Sequence, residues 1–147
     1  KQLNNYIMRK AKAFDARMLH RIKTVPGIGD VLALTILYEV IDINRFDTVQ
    51  KFCSYSRLVK CQKESAGKKM GTSGSKIGNA HLKWAFSEAA ILFIRDSDKA
   101  KAYVEKLATR VGKGKAIAIL AHKLGRAVYF IMKRNDAFDE KYFFRNS

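Results

Sequence analysis

The chain has 147 residues, 48% of them hydrophobic, which suffices for one packed core and leaves little for a second domain. Its 29 lysines and arginines outnumber its 13 acidic residues and give a formal net charge of +16. Such an excess destabilises a compact fold unless a polyanion neutralises it, so nucleic acid is the expected partner. No apolar run reaches the roughly 18 residues of a spanning helix, which argues against a membrane partner.

The chain begins with a predicted amphipathic helix, because apolar residues recur every three or four positions from Leu3 to Ile22. Pro26 should end this helix. The following run, "DVLALTILYEV", is apolar over most of its circumference and predicts a buried second helix. Its expected core residues are Leu32, Ile36 and Val40.

Four further helices are predicted in the rest of the chain. "DTVQKFCSYSRLV" should form the third, with Asp47 as its N-cap, and "NAHLKWAFSEAAILFI" the fourth, with Asn79 as its N-cap. "DKAKAYVEKLATRV" and "AIAILAHKLGRAVYFIMKR" predict two more amphipathic helices. The expected inward-facing residues of the third, fourth and last helices are Val49, Phe52, Leu58, Leu82, Phe86, Ala89, Phe93, Ile117, Leu120, Leu124, Val128 and Ile131.

The predicted fold is all-α. A single proline and almost no alternation of apolar and polar residues argue against a sheet. We therefore expect a compact helical domain interrupted by one long irregular segment, "QKESAGKKMGTSGSKIGN", from Gln62 to Asn79. The two cysteines, Cys53 and Cys61, lack CxxC spacing, so the sequence predicts neither a zinc site nor a disulfide, but thiols suited to a reducing cytoplasm.

The stretch "TVPGIGDVLA", Thr24 to Ala33, predicts a helix-hairpin-helix motif. Gly27 and Gly29 permit a tight turn, whose N–H groups can face a phosphate together with the N-terminus of the next helix. The alternative is a turn that only packs two helices. In a chain with a net charge of +16 we favour the phosphate contact, which would hold a nucleic-acid backbone without reading its bases.

The irregular segment predicts a nucleic-acid loop. Its four glycines permit anion-binding turns, and its four lysines supply counter-charge to phosphates. These lysines are Lys63, Lys68, Lys69 and Lys76. A solvated linker, the alternative, would not need them. The serines are the candidates for a covalent nucleophile, and the residues alone do not choose among Ser65, Ser73 and Ser75.

Three blocks of the sequence carry a resemblance to a known family. They are "IKTVPGIGDVLALTILYEVIDINRFDTVQKFCSYSRLV", "ESAGKKMGTSGSKIGNAHLKWAFSEAA" and "GKGKAIAILAHKLGRAVYFIMKR". In this order, from about Arg21 to about Lys133, they resemble the C-terminal half of the DEDD-type insertion-sequence transposases, the one-ten family of bridge-RNA-guided recombinases. Family members have an N-terminal RuvC-like domain, whose four acidic residues bind divalent metal. A helical connector links it to a C-terminal domain that carries a nucleophilic serine.

The resemblance implies a domain organisation and a set of partners. Residues 1–20 would be the connector and residues 21–147 the C-terminal transposase domain. Because the chain begins at Lys1, we expect it to lack the RuvC-like domain of its parent protein. That domain would hold the divalent metal, such as Mg²⁺, and no cofactor is expected in this chain. The implied partners are DNA, a guide RNA, the RuvC-like domain and further copies of the full-length protein, in the bacterial cytoplasm.

The resemblance also implies roles for individual residues. Ser65, in "ESAG", would attack a DNA phosphodiester and form a phosphoserine link. "SKIGN" matches a family block, so Lys76, Gly78 and Asn79 would position the loop and its phosphate. The chain departs from the family at two places. "YSRLVKC" stands where many members have Tyr-x-Gly-Leu-x-Pro, and Glu64 precedes the serine. These departures affect the register of the block and leave Ser73 as an alternative nucleophile.

Three functions follow from the sequence. The first is a transposase domain that is inactive without its metal-bearing partner domain, since serine is a weak nucleophile at neutral pH. The second is a non-enzymatic helix-hairpin-helix module that only grips the duplex backbone. The third is a structural RNA-binding protein, which accounts for the charge but leaves the serine block unexplained.

Overall fold

The structure, a computed structural model, describes residues 2–59, 62–65, 68–72 and 78–145. Within these ranges the helices are α1 (Gln2–Lys23), α2 (Asp30–Val40), α3 (Val49–Tyr55), α4 (Ala80–Asp96), α5 (Asp98–Val111), α6 (Lys113–Arg134) and α7 (Glu140–Phe143). A 3₁₀ turn, Ile43–Arg45, precedes α3. Two short strands, β1 (Gln62–Ser65) and β2 (Lys68–Thr72), lie between α3 and α4. The predicted all-α fold is confirmed, because helices form nearly all of the regular structure.

The two strands form an antiparallel hairpin inside the segment predicted to be irregular. Ser65 pairs with Lys68 and Glu64 with Lys69, and the register is irregular between Gln62 and Glu64. The sequence does not predict this hairpin, because its strands lack the alternation of apolar and polar residues that identifies a strand.

Helix α1 changes direction at Asp15, whose backbone is not helical (φ −158°, ψ 80°). The carboxylate of Asp15 accepts a hydrogen bond from the N–H of Met18 at 2.9 Å and caps the turns that follow. Met18 and Ile22, after the kink, are buried, whereas Leu3, before it, is 71% exposed. Among the α1 residues whose burial the structure describes, the buried ones all follow Asp15.

Helix α4 packs in the core against α2, α5 and α6. The apolar stripe predicted for α4 is confirmed, because all four of its residues are fully buried. The predicted core residues of α2 are buried as well. In α6 only Ile117 is half-buried, and the other four predicted positions are buried. Helical periodicity thus identified the inward faces of α2, α4 and α6 correctly.

The start of α3 differs from the prediction. Thr48 is its N-cap, because the Thr48 hydroxyl accepts a hydrogen bond from the N–H of Lys51 at 3.2 Å. Asp47, the predicted N-cap, pairs instead with the Lys51 ammonium at 2.9 Å. Asp47 lies one residue too early to reach the free N–H groups of the first turn.

Of the two cysteines, the structure describes Cys53. Cys53 is buried and unpaired, and burial raises the pKa of its thiol to about 11. Cys61 lies outside the described residues. Over the described ranges, no helix is both long enough and apolar enough to cross a membrane.

Candidate functional site

The glycine-rich segment is closed at its base, where α3 ends and α4 is about to begin. The backbone N–H of Asn79 donates a hydrogen bond to the carbonyl oxygen of Tyr55 at 2.6 Å. Gly78 has a φ of +105°, and a Cβ at this position would lie 2.5 Å from the same carbonyl oxygen. Gly78 therefore allows the two ends of the segment to meet, which a residue with a side chain would prevent.

The side chain of Asn79 joins three helices at this base. Its Oδ1 accepts a hydrogen bond from the N–H of Leu82 at 2.9 Å, which confirms Asn79 as the N-cap of α4. Its Nδ2 donates to Oε2 of Glu39 at 2.7 Å and to the hydroxyl of Tyr55 at 3.3 Å. The amide group is thus occupied by protein partners, which suits a role in positioning the segment.

Tyr55 extends the network to Arg45. The Arg45 guanidinium lies 4.8 Å from the centre of the Tyr55 ring, and its Nη1 donates to the carbonyl oxygen of Val40 at 3.1 Å. Hydrogen bonds from Asn79 and then from Arg45 lower the pKa of Tyr55. We call Glu39, Arg45, Tyr55, Gly78 and Asn79 the segment base.

Sequence reasoning identified Gly78 and Asn79 but missed the other three members of the segment base. Glu39 and Arg45 belong to no sequence motif. Glu39 contacts Asn79, and Arg45 contacts Tyr55, only because separate elements of the fold pack together. Tyr55 had a signal, because it stands where the resembling family has the tyrosine of its Tyr-x-Gly-Leu-x-Pro stretch.

Asn79→Ala should lower the free energy of unfolding by about 2 kcal/mol, because it removes the cap of α4 and leaves the Glu39 carboxylate without its donor. Thr48→Ala is the matched control, since it removes only a cap, and it should cost about 1 kcal/mol. Urea denaturation of the 147-residue chain measures both losses. Equal losses would contradict the joining role of Asn79.

The hairpin brings the predicted nucleophile and three predicted lysines together. Ser65 is the last residue of β1 and pairs with Lys68, so it lies at the closed end of the hairpin. Lys63 lies on β1, and Lys69 follows Lys68 on β2. The fourth lysine, Lys76, and the alternative serines, Ser73 and Ser75, lie outside the described residues.

The Pro-Gly-x-Gly turn between α1 and α2 packs against the C-terminal half of α4. Gly27 has a φ of +87°, and a Cβ there would lie 2.7 Å from the N atom of Phe93 and 2.8 Å from the carbonyl oxygen of Ala89. Packing alone therefore requires glycine at this position. Gly29 faces open space and is the N-cap of α2. Among the described residues, no side chain accepts a hydrogen bond from the first N–H groups of this helix.

Two cations flank this turn, and each is paired with an acid. The Lys23 ammonium lies 2.5 Å from the Asp30 carboxylate, and Nε of Arg95 lies 2.7 Å from that of Asp96. Lys23 and Arg95 line a shallow depression of about 370 Å³ over the turn. The two acids partly cancel the positive potential that a phosphate would meet there.

The structure separates the two predicted nucleic-acid motifs. Helix α2 runs antiparallel to α4, because Gly27 packs beside Phe93 whereas Glu39 bonds to Asn79. Along the axis of α4, the distance from Asn79 to Phe93 is about 20 Å. The turn and the segment base therefore lie at opposite ends of α4.

Comparison with known proteins places the chain among transposases. Residues 19–105 match the model of a family described as the transposase IS116/IS110/IS902 family, and this stretch includes both the turn and the hairpin. The chain is also 26% identical over 122 residues to the transposase for insertion sequence element IS1111A of Coxiella burnetii (strain RSA 493 / Nine Mile phase I). The similarity covers 80% of this chain and 34% of that relative, so the chain spans about a third of its length.

Proposed function

The chain belongs to the IS116/IS110/IS902 transposase family, and we propose that it is the DNA-binding C-terminal domain that carries the nucleophilic serine of such an enzyme. The observation that carries this proposal is the hairpin, which places Ser65 opposite Lys68 at its closed end. In the proposed step, the Ser65 hydroxyl gives up its proton, its Oγ attacks a DNA phosphodiester and an Oγ–P bond forms. The bond from phosphorus to one deoxyribose oxygen breaks, and that oxygen takes up a proton. Attack by a second DNA hydroxyl then releases the serine.

The lysines of the segment would hold the phosphate under attack. Lys63, Lys68 and Lys69 share the hairpin with Ser65, and Lys76 completes the set in the sequence. Negative charge builds up on the phosphate oxygens during the attack, so cations placed beside them stabilise the transition state as well as the bound DNA. Gly78 and Asn79 contribute by fixing the base of the segment, which limits the positions that the serine can adopt.

The metal implied by the resemblance does not fit the described part of this chain. Among those residues, no three His, Cys, Asp or Glu side chains lie close enough together to hold an ion. A serine hydroxyl needs a base or a metal for activation at neutral pH. We therefore assign the divalent metal, such as Mg²⁺, to a RuvC-like domain of the DEDD type in the full-length protein, and we expect this chain alone to leave DNA uncut.

Two observations support the proposed boundary between connector and domain. The family match begins at residue 19, and α1 changes direction at Asp15, with Met18 as the first of the described side chains that is buried. Residues 1–20 would thus lead into the domain formed by residues 21–147. By resemblance we also propose a homo-oligomer of the full-length protein that works with a guide RNA in the bacterial cytoplasm.

The turn at Gly27 and Gly29 supports a second candidate function, a non-enzymatic helix-hairpin-helix module. The uncapped N–H groups at the start of α2 suit a phosphate of the DNA backbone. The turn and the segment base lie about 20 Å apart along α4, which corresponds to about six base pairs of duplex. In the transposase, the turn would hold the same duplex a short distance from the scissile phosphate.

The chain should bind duplex DNA with little sequence preference and with a steep dependence on salt, because its expected contacts are lysines and backbone N–H groups that meet phosphates. If the four lysines of the segment each neutralise one phosphate, the slope of log K against log salt concentration should be about −3.6 or steeper. Fluorescence anisotropy with duplexes of unrelated sequence, between about 50 and 200 mM salt, measures this slope. Salt-independent affinity, or no binding, would contradict the proposal.

A further inference from the structure

We propose that a further DNA-binding surface, distinct from both the hairpin and the Gly27 turn, lies between α5 and α6 and contacts the phosphate backbone of a duplex. This inference rests on the proposed function as a DNA-binding transposase domain. The surface consists of Lys99, Tyr103, Lys106, Arg110 and Lys123, and we call it the Tyr103 patch.

Positive charge is concentrated on α5 and α6. From Lys99 to Arg134 the sequence has ten lysines and arginines and a single acid, Glu105. None of these ten cations forms an ion pair with a described carboxylate, whereas Lys23, Lys51 and Arg95 each do so elsewhere. Unpaired cations on two adjacent helices repel one another, and this repulsion is relieved when a polyanion binds.

Four cations surround the ring of Tyr103. One face of α5 carries, in order, Lys99, Tyr103, Lys106 and Arg110. Successive members of this row are three or four residues apart, so they are neighbours on the helix surface, and the three cations are exposed. Lys123 reaches the ring from α6, with its Nζ 5.2 Å from the ring centre. Lys99, Tyr103 and Lys106, together with Phe144, line a shallow depression of about 260 Å³.

The chemistry of the patch suits phosphate better than unpaired bases. Lys123 lies over the Tyr103 ring and Phe144 packs 5.8 Å from it, so little of the aromatic surface is left for a base to stack on. Burial raises the pKa of Tyr103, which keeps its hydroxyl protonated and able to donate a hydrogen bond. Burial also lowers the pKa of Lys123, and a phosphate beside this amine would favour its charged form.

The patch lies at the opposite end of α4 from the segment base. Phe144, in the floor of the patch, packs 5.8 Å from Phe93 near the C-terminus of α4, whereas Asn79 caps the N-terminus of that helix. The two surfaces are therefore separated by about 20 Å along α4. Lys106, Arg110 and Lys123 also lie beyond residues 19–105, which the family model matches. The patch would hold DNA away from the site of cleavage.

A triple variant, K99Q/K106Q/R110Q, tests this surface in the 147-residue chain. Loss of three phosphate contacts should make the slope of log K against log salt concentration less steep by about 2.7, and should weaken binding at least about tenfold near 100 mM salt. The matched control, R17Q/K101Q/K133Q, removes two lysines and one arginine that are exposed, lie outside the patch and pair with no described carboxylate, and it should change the slope by less than about 1. Circular dichroism melting verifies that both variants are folded.

Each outcome has a distinct meaning. Equal losses in the two triple variants would overturn the Tyr103 patch and leave the proposed function intact, because the wild-type chain would still bind DNA. A wild-type chain without salt-dependent DNA binding would contradict the proposed function itself. Tighter binding of double-stranded RNA than of DNA of equal length, with that preference lost in K99Q/K106Q/R110Q, would overturn the assignment of the patch to DNA.

Discussion

Ser65→Ala in the full-length protein is expected to abolish strand exchange and to leave folding and DNA binding nearly unchanged. A phosphoserine bond cannot form without the Oγ of Ser65, so the loss should be complete rather than partial. A single hydroxyl group in a short hairpin between two helices is expected to contribute little to core stability. Strand exchange between a donor and a target duplex measures the first effect, and circular dichroism melting and fluorescence anisotropy measure the others.

Ser73→Ala and Ser75→Ala are the controls within the same segment. A hydroxyl that only contacts a phosphate contributes about 1 kcal/mol, so either substitution should slow exchange about fivefold. Ser56, at the end of α3, is not a competing nucleophile, because its side chain is fully buried. Full recombination by the Ser65→Ala protein would contradict the assignment of the nucleophile.

Gly27→Ala should lower the free energy of unfolding by about 3 kcal/mol and the melting temperature by about 10 °C. The backbone φ of +87° disfavours any side chain, and the new Cβ would press on the backbone of α4 at Ala89 and Phe93. Backbone atoms of a buried helix cannot move aside as the end of a flexible side chain can. Thermal and urea denaturation of the 147-residue chain measure this loss.

Gly29→Ala provides the comparison, because the two glycines lie in one turn and differ in their surroundings. Gly29 has a φ of −90° and faces open space, so alanine there should cost less than about 1 kcal/mol. Similar losses in the two variants would contradict the packing account of Gly27. A well-folded Gly29→Ala chain with weakened DNA binding would support a phosphate contact at the start of α2.

The helices were predictable from the sequence because their signals are local. The apolar stripe of α4 and its cap at Asn79 appear within one stretch of sequence, and both are confirmed. The kink at Asp15 and the hairpin were not predictable, because neither interrupts nor creates a pattern of apolar residues. The cap of α3 was misplaced by one residue, since Asp47 and Thr48 are both good capping residues and only the backbone distinguishes them.

The candidate site was predictable in its residue types but not in its geometry. The sequence singles out Gly27 and Gly78, and the structure supplies their reasons, which are close approaches to α4 and to Tyr55. The hydrogen bond from Asn79 to Glu39 joins residues 40 positions apart, and no spacing rule reveals such a contact. In the same way, the net charge of +16 indicates a polyanion, but only the structure shows which cations are already paired.

Mapping a covalent protein–DNA adduct tests the central claim most directly. The full-length protein, supplied with Mg²⁺, is incubated with a nicked suicide duplex that traps the intermediate, and the labelled peptide is identified by mass spectrometry after digestion with trypsin. Trypsin separates the candidates, because cleavage after Lys63 and Lys68 releases "ESAGK" with Ser65, whereas cleavage after Lys69 and Lys76 releases "MGTSGSK" with the other two serines. We predict that the DNA is attached to "ESAGK". An adduct on "MGTSGSK", or no adduct from a protein that recombines DNA, would contradict Ser65 as the nucleophile.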